Sequence, residues 1–181
     1  MAKLTFEIKA SPETNDHEVV VLVDDKPMLD DDHMGVDPPA FFAQFSKSDV
    51  GQLVIGRCRC GVVGCGDYTV TVETFPDSVS WRGNEEIRFD RSQYEAAVRN
   101  ASVDFSWEDV NRRAERRVSE ILKGCRTVGG FVFQWASARI APMSISFLRG
   151  DEQMILEFGW DGATDDSAIQ GAERFRNEAC E

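Results

Sequence analysis

Apolar and polar residues alternate along several short segments of the chain, and a period of two is typical of β-strands with one buried face. Residues 3–10 alternate in this way, and the Val-rich run over residues 18–24 predicts a second strand after a polar turn. Seven further strands are predicted at residues 52–60, 68–75, 78–82, 86–89, 131–140, 143–149 and 153–160. Tight turns separate the four strands between residues 52 and 89, which favours an antiparallel meander.

Four helices are predicted from residues that cap a helix N-terminus. Asp90 and Ser106 each have a capping-box partner three positions later and an apolar pair around the cap, while Asp37 is followed by a proline at the first helical position. Thr164 begins the last helix, whose first turn carries two acidic residues. The pattern predicts an α+β fold with antiparallel sheets and about three to four helices, in a single domain spanning residues 1–181.

The apolar runs are too short to cross a membrane, which needs roughly 18 consecutive apolar residues. The first residues alternate like a strand and contain no apolar core of a signal peptide. We therefore expect a cytoplasmic protein that contacts no membrane. In a reducing compartment the five cysteines are expected to be thiols or metal ligands rather than disulfides.

The net charge of −12 makes the chain strongly acidic. Such a charge repels phosphate backbones and favours a basic protein partner. The basic cluster at residues 112–117 has acidic residues four positions away, which is typical of a solvated helix face. We therefore predict no nucleic-acid binding. The residues predicted to face a basic partner are the acids of the most acidic segment, Asp24, Asp25, Asp30, Asp31 and Asp32.

Three cysteines surround one predicted hairpin. Cys58 and Cys60 are two residues apart, so they share one face of a strand, and Cys65 returns after the tip at residues 61–64. Three thiolates in a small volume are ligands that zinc prefers. A fourth ligand would have to come from one of four distant residues: Cys125, Cys180, His33 or Asp67.

Two interpretations of these cysteines remain open. The spacing lacks the paired Cys-x-x-Cys elements of a common zinc site, and a free cysteine is often a small apolar residue in a core. We favour a role in the core or in local structure, and hence no cofactor, with zinc as the alternative. A redox role is disfavoured because Arg57 and Arg59 lie on the opposite strand face and cannot lower a thiol pKa.

Four parts of the sequence share a further pattern: residues 56–66, the following strand with Val70 and Val72, residues 79–81 and residues 89–94. Together they resemble an uncharacterised family of bacterial proteins, found mainly in actinobacteria. The resemblance extends from Leu53 to Trp107. It implies a bacterial cytosolic setting, and it assigns no activity to this chain because none is known for that family.

Catalytic signatures are missing from the sequence. It contains two histidines, His17 and His33, and has no nucleophile elbow, phosphate loop or dinucleotide fingerprint. We therefore expect a non-enzymatic acidic module that binds a protein, in the manner of an immunity protein or an inhibitor. The alternative is a small-ligand-binding protein or enzyme with a structural zinc at the cysteine hairpin.

Overall fold

The predicted α+β class with antiparallel sheets is confirmed. The structure is a computed structural model that describes residues 1–46, 51–60, 64–140 and 142–181. Across these residues the chain forms four α-helices and eleven strands in three antiparallel sheets. Within the same residues, none of the helices has both the length and the apolar character needed to cross a bilayer.

The chain divides into two compact units, Met1–Trp107 and Glu108–Glu181. The first unit has two sheets and the second has one, and each unit has its own helices and its own cluster of buried apolar residues. The single domain predicted over residues 1–181 stays a prediction, and the units are described separately.

The first unit contains two sheets. Strands β1 to β3 form one sheet in chain order, and strands β4 to β8 form a five-stranded meander in chain order. The predicted meander is therefore confirmed over β5 to β8. The elements are β1 Leu4–Lys9, β2 Glu18–Val23, β3 Lys26–Pro27, β4 His33–Met34, α1 Pro38–Ala43, β5 Gln52–Cys58, β6 Asp67–Thr74, β7 Ser78–Arg82, β8 Glu86–Asp90 and α2 Arg91–Ser102.

Aromatic side chains fill the core of this unit. Trp81 of β7 is completely buried, and its indole N–H donates a hydrogen bond to the hydroxyl of Tyr94 on α2 at 3.2 Å. Burial raises the pKa of Tyr94 to about 12, so the phenol stays neutral beside the core. The Asp90 side chain accepts the amide N–H of Gln93, which confirms the predicted cap of α2.

The second unit packs two helices with one sheet of strand order β11-β10-β9. Its elements are α3 Val110–Leu122, β9 Val132–Ser137, β10 Met143–Arg149, β11 Glu152–Phe158 and α4 Asp165–Ala179. Thr164 caps α4 through the amide of Ser167, as predicted. The predicted cap of α3 at Ser106 is wrong: the helix begins three residues later, where Asp109 accepts the amide N–H of Arg112 at 2.9 Å.

A disulfide joins Cys125 to Cys180, which corrects the expectation that all five cysteines are thiols or metal ligands. Cys125 follows α3 and Cys180 follows α4, and the two Cα atoms are 5.5 Å apart, within the range that a disulfide spans. The amide of Glu181 also donates to the carbonyl of Arg126, so the chain end lies beside this segment. Packing of two helices thus aligns cysteines that are 55 residues apart in sequence.

This disulfide gives a first prediction. Alkylation of the unfolded, unreduced protein is expected to label three cysteines, and labelling of all five would contradict the pairing. Reduction is expected to lower the free energy of unfolding by about 2–4 kcal/mol, because it releases a long closed loop in the unfolded state. The measurement is urea denaturation with and without reductant. The Cys125→Ser, Cys180→Ser double variant is the control, and its stability is expected not to respond to reductant.

Candidate metal centre

Three thiols meet at the end of the hairpin formed by β5 and β6. The Sγ atoms of Cys58, Cys60 and Cys65 all lie within 4.8 Å of one another, and those of Cys58 and Cys60 are 2.7 Å apart. The prediction that these three sulfurs lie close together is therefore confirmed. Residues 61–63 of the predicted tip lie outside the described residues.

The interpretation of these cysteines as core residues is wrong. Cys60 and Cys65 are exposed and Cys58 is only partly buried. Cys60 lies in a turn after the last residue of β5 and Cys65 in a turn before the first residue of β6, where the sheet no longer buries a side chain. Small apolar character therefore does not explain why three cysteines occupy this position.

Glycine shapes the return of the chain towards Cys58. The carbonyl of Gly66 accepts the amide N–H of Cys58 at 2.9 Å. A Cβ atom at Gly66 would lie 3.2 Å from the Cβ of Cys58, which is closer than side chains normally approach. Gly64 has φ of +79°, a left-handed conformation that favours glycine. These two glycines let the chain bring Cys65 back against Cys58.

The charges around the thiols do not favour a reactive thiolate. Hydrogen bonds with Cys60 and Cys58 raise the pKa of Cys65 to about 11. The guanidinium of Arg57 lies 3.6 Å from the carboxylate of Asp67, and that of Arg59 donates to the backbone carbonyl of Asp31. Both guanidinium groups therefore contact oxygen atoms, and the cluster suits a bound cation better than a nucleophile.

The four candidate fourth ligands differ in their positions. Cys125 and Cys180 are joined to each other in the second unit. Asp67 pairs with Arg57 across the strands, and these two residues alternate with Cys58 to the other face of the sheet. His33 is the Cα partner of Cys58 in the antiparallel pair of β4 and β5. Of the four, His33 is the residue that shares a face with the thiol cluster.

The two histidines occupy opposite environments. His17 is 3% exposed, its ring lies 5.2 Å from that of Trp107, and its Nδ1 accepts the amide N–H of Ser11. His33 lies at the edge of the five-stranded sheet with part of its side chain exposed. Its Nδ1 is 2.6 Å from a carboxylate oxygen of Asp30, an interaction that the i,i+3 spacing of these residues allows.

The five acids predicted to face a partner form two exposed groups. Asp24 and Asp25 are the two central residues of the tight turn between β2 and β3, with φ of +50° and +62°. Both contact Lys3, through its amide and its ammonium group. Asp30, Asp31 and Asp32 precede β4, beside the cysteine hairpin. The turn geometry and the ion pair account for the first group, and partner binding by either group stays a prediction.

The basic cluster on α3 is paired with acids, but the predicted solvated face holds only in part: the side chains of Arg112 and Glu115, paired at 2.9 Å, are 12% and 10% exposed. Arg116 pairs with Glu120 at 3.0 Å, which confirms the predicted i,i+4 pair, and with Glu108 at 2.8 Å. Arg113 forms an ion pair with Asp165 of α4 at 2.7 Å. The charge of Asp109, its predicted i,i+4 partner, also acts on Arg113. These pairs offset the positive charge that a phosphate would need.

The first unit also has an open cavity of about 310 Å³. This volume is at the lower end of what small-ligand sites occupy. Its lining is largely apolar and includes Tyr68, whose ring centroid lies 5.8 Å from that of His33. The cavity therefore borders the strand pair that carries the thiols.

Comparisons with known proteins return nothing: no family model, no curated protein and no solved structure matches this chain. The resemblance to a bacterial family noted from the sequence stays a prediction. The geometry of the site is therefore the basis for any functional conclusion.

Proposed function

We propose that this chain is a zinc-binding protein whose metal is held by the thiolates of Cys58, Cys60 and Cys65. The observation that carries the proposal is the mutual approach of the three Sγ atoms within 4.8 Å at one hairpin end. Zinc bound by thiolates is tetrahedral with Zn–S distances of about 2.3 Å, so ligand sulfurs lie about 3.8 Å apart. The present separations, 2.7 Å for one pair and up to 4.8 Å for the set, bracket that value.

The role of the ion is structural. Cys60 and Cys65 lie in turns, outside the strand ladder of β5 and β6. A cation that binds both thiolates and Cys58 would fix the end of the hairpin in the way that strand pairing fixes its base. Binding also releases the thiol protons, so the charge of the ion offsets the charge of the thiolates it creates.

The acidity of the first unit favours this role. Residues 1–107 contain 19 Asp and Glu against 10 Lys and Arg, a net charge of −9, whereas residues 108–181 contain 13 against 10, a net charge of −3. Most of the net negative charge thus lies in the unit that carries the thiols. A negative potential raises the local concentration of cations.

The test is zinc uptake by the reduced protein. We expect one zinc per chain by elemental analysis after gel filtration. Replacement of a ligand, as in Cys60→Ser, is expected to lower the affinity by more than about 100-fold, since loss of a residue that only orients a ligand already costs up to that amount. The measurement is competition with a chromophoric chelator.

The matched control is the Cys125→Ser, Cys180→Ser double variant, which makes the same chemical change outside the thiol cluster. It is expected to keep wild-type zinc affinity. Wild-type protein that binds no zinc, or Ser variants at Cys58, Cys60 and Cys65 that bind as tightly as the wild type, would overturn the proposal.

A second proposed function is non-enzymatic binding of a basic protein, as an immunity protein or inhibitor does. It is supported by the position of Asp30, Asp31 and Asp32, since Arg59 of the hairpin donates to the carbonyl of Asp31. This contact holds an exposed acidic loop against the hairpin that the metal would fix. Charges at such a rim increase the rate of encounter with a partner of opposite sign.

The second proposal predicts a salt-sensitive partner. Immobilised protein is expected to retain a basic protein from native lysate at low ionic strength and to release it at high ionic strength. Asp31→Asn with Asp32→Asn is expected to slow association several-fold, because it removes two charges from the contact. The control, Asp151→Asn with Asp166→Asn, makes the same change on exposed acids of the second unit. Equal association rates for the two double variants would contradict the proposal.

A further inference from the structure

We propose that the fourth zinc ligand is Nε2 of His33, oriented by the carboxylate of Asp30, so that the site is Cys₃His. This inference rests on the proposed zinc function and goes beyond it by closing the coordination sphere. It also assigns separate roles to His33, as a ligand, and to Asp30, as the carboxylate that orients it.

Strand register brings His33 to the cluster. β4 and β5 are antiparallel, with His33 directly opposite Cys58 and Met34 opposite Arg57. Side chains directly opposite each other in such a pair lie on the same face, with Cβ atoms about 4.5–5.5 Å apart. The imidazole therefore extends from the same face as the Cys58 thiol, one strand away.

The hydrogen bond to Asp30 determines which ring nitrogen faces a metal. Nδ1 of His33 is 2.6 Å from Oδ1 of Asp30, so the carboxylate occupies this nitrogen and leaves Nε2 for coordination. Metal-binding histidines commonly have a carboxylate on the other ring nitrogen, which fixes the tautomer and increases ligand basicity. The same Asp30 oxygen accepts the amide N–H of Asp32 at 3.1 Å, which steadies the carboxylate.

Neighbouring contacts hold the loop and the hairpin together. Arg59 lies between Cys58 and Cys60 in sequence and donates to the carbonyl of Asp31, two residues before His33. The rings of His33 and Tyr68 form a T-shaped pair with their centroids 5.8 Å apart. The ring is outside the 4.8 Å thiol cluster, so coordination requires it to turn towards the sulfurs.

Two substitutions near the cluster and one control elsewhere in the first unit separate the roles. In Co²⁺ and Zn²⁺ titrations, His33→Ala is expected to lower zinc affinity by more than about 100-fold and to change the cobalt d–d absorption, while thiolate-to-cobalt charge transfer remains. Asp30→Asn is expected to lower affinity about 10–100-fold, as loss of an orienting carboxylate does. Asp77→Asn removes the same charge from an exposed acid elsewhere in the first unit and is expected to leave affinity unchanged.

Imidazole ¹⁵N NMR of the wild-type protein gives a direct readout that needs no variant. Zinc is expected to shift the Nε2 resonance of His33 and to leave His17, which is buried against Trp107, unchanged. If the wild type binds no cobalt or zinc, the zinc function fails and this inference fails with it. If the wild type binds, but His33→Ala keeps its affinity and cobalt spectrum, only the histidine assignment is overturned.

Discussion

Pairing between β5 and β6 is the interaction on which the candidate site depends. The hydrogen bond from the Cys58 amide to the Gly66 carbonyl, at 2.9 Å, closes the hairpin beyond the regular ladder. Because the chain must return within so few residues, Cys58, Cys60 and Cys65 come into one small volume. Pairing of β4 on the other edge of β5 then places His33 opposite Cys58. The register of β5 with β6 and that of β4 with β5 thus determine which side chains can bind one metal ion.

Electrostatics decides what this arrangement is suited to bind. Without a cation, mutual hydrogen bonding keeps a thiol such as Cys65 protonated, and the nearby guanidinium groups of Arg57 and Arg59 are engaged with oxygen atoms. Three thiolates would also add negative charge to a unit with a net charge of −9. A dication offsets that charge, whereas an anionic substrate would increase it. The same physical argument that disfavours a nucleophile therefore favours a metal.

Local signals in the sequence predicted much of the fold. Alternation located most strands, and the caps at Asp90 and Thr164 begin the helices as predicted, because capping depends on residues only three positions apart. The start of α3 was missed because Ser106 and Asp109 both have cap chemistry, and the choice between them depends on how the preceding turn packs. Strand β4 has only two residues, too few to show alternation.

Properties that depend on long-range packing were not accessible from the sequence. Cysteine spacing predicted the thiol cluster because its members are seven residues apart at most, but exposure of Cys60 and Cys65 depends on what covers the hairpin end. The Cys125–Cys180 disulfide depends on how two helices align over 55 residues. His33 was one of four possible fourth ligands until strand register placed it opposite Cys58.

The most direct test of a Cys₃His zinc centre is X-ray absorption spectroscopy at the zinc edge of the metal-loaded protein. We expect three sulfur neighbours at about 2.3 Å and one nitrogen neighbour at about 2.0–2.1 Å, with the outer-shell scattering of an imidazole ring. A first shell made only of oxygen and nitrogen neighbours would contradict it, because the thiol cluster would then hold no metal.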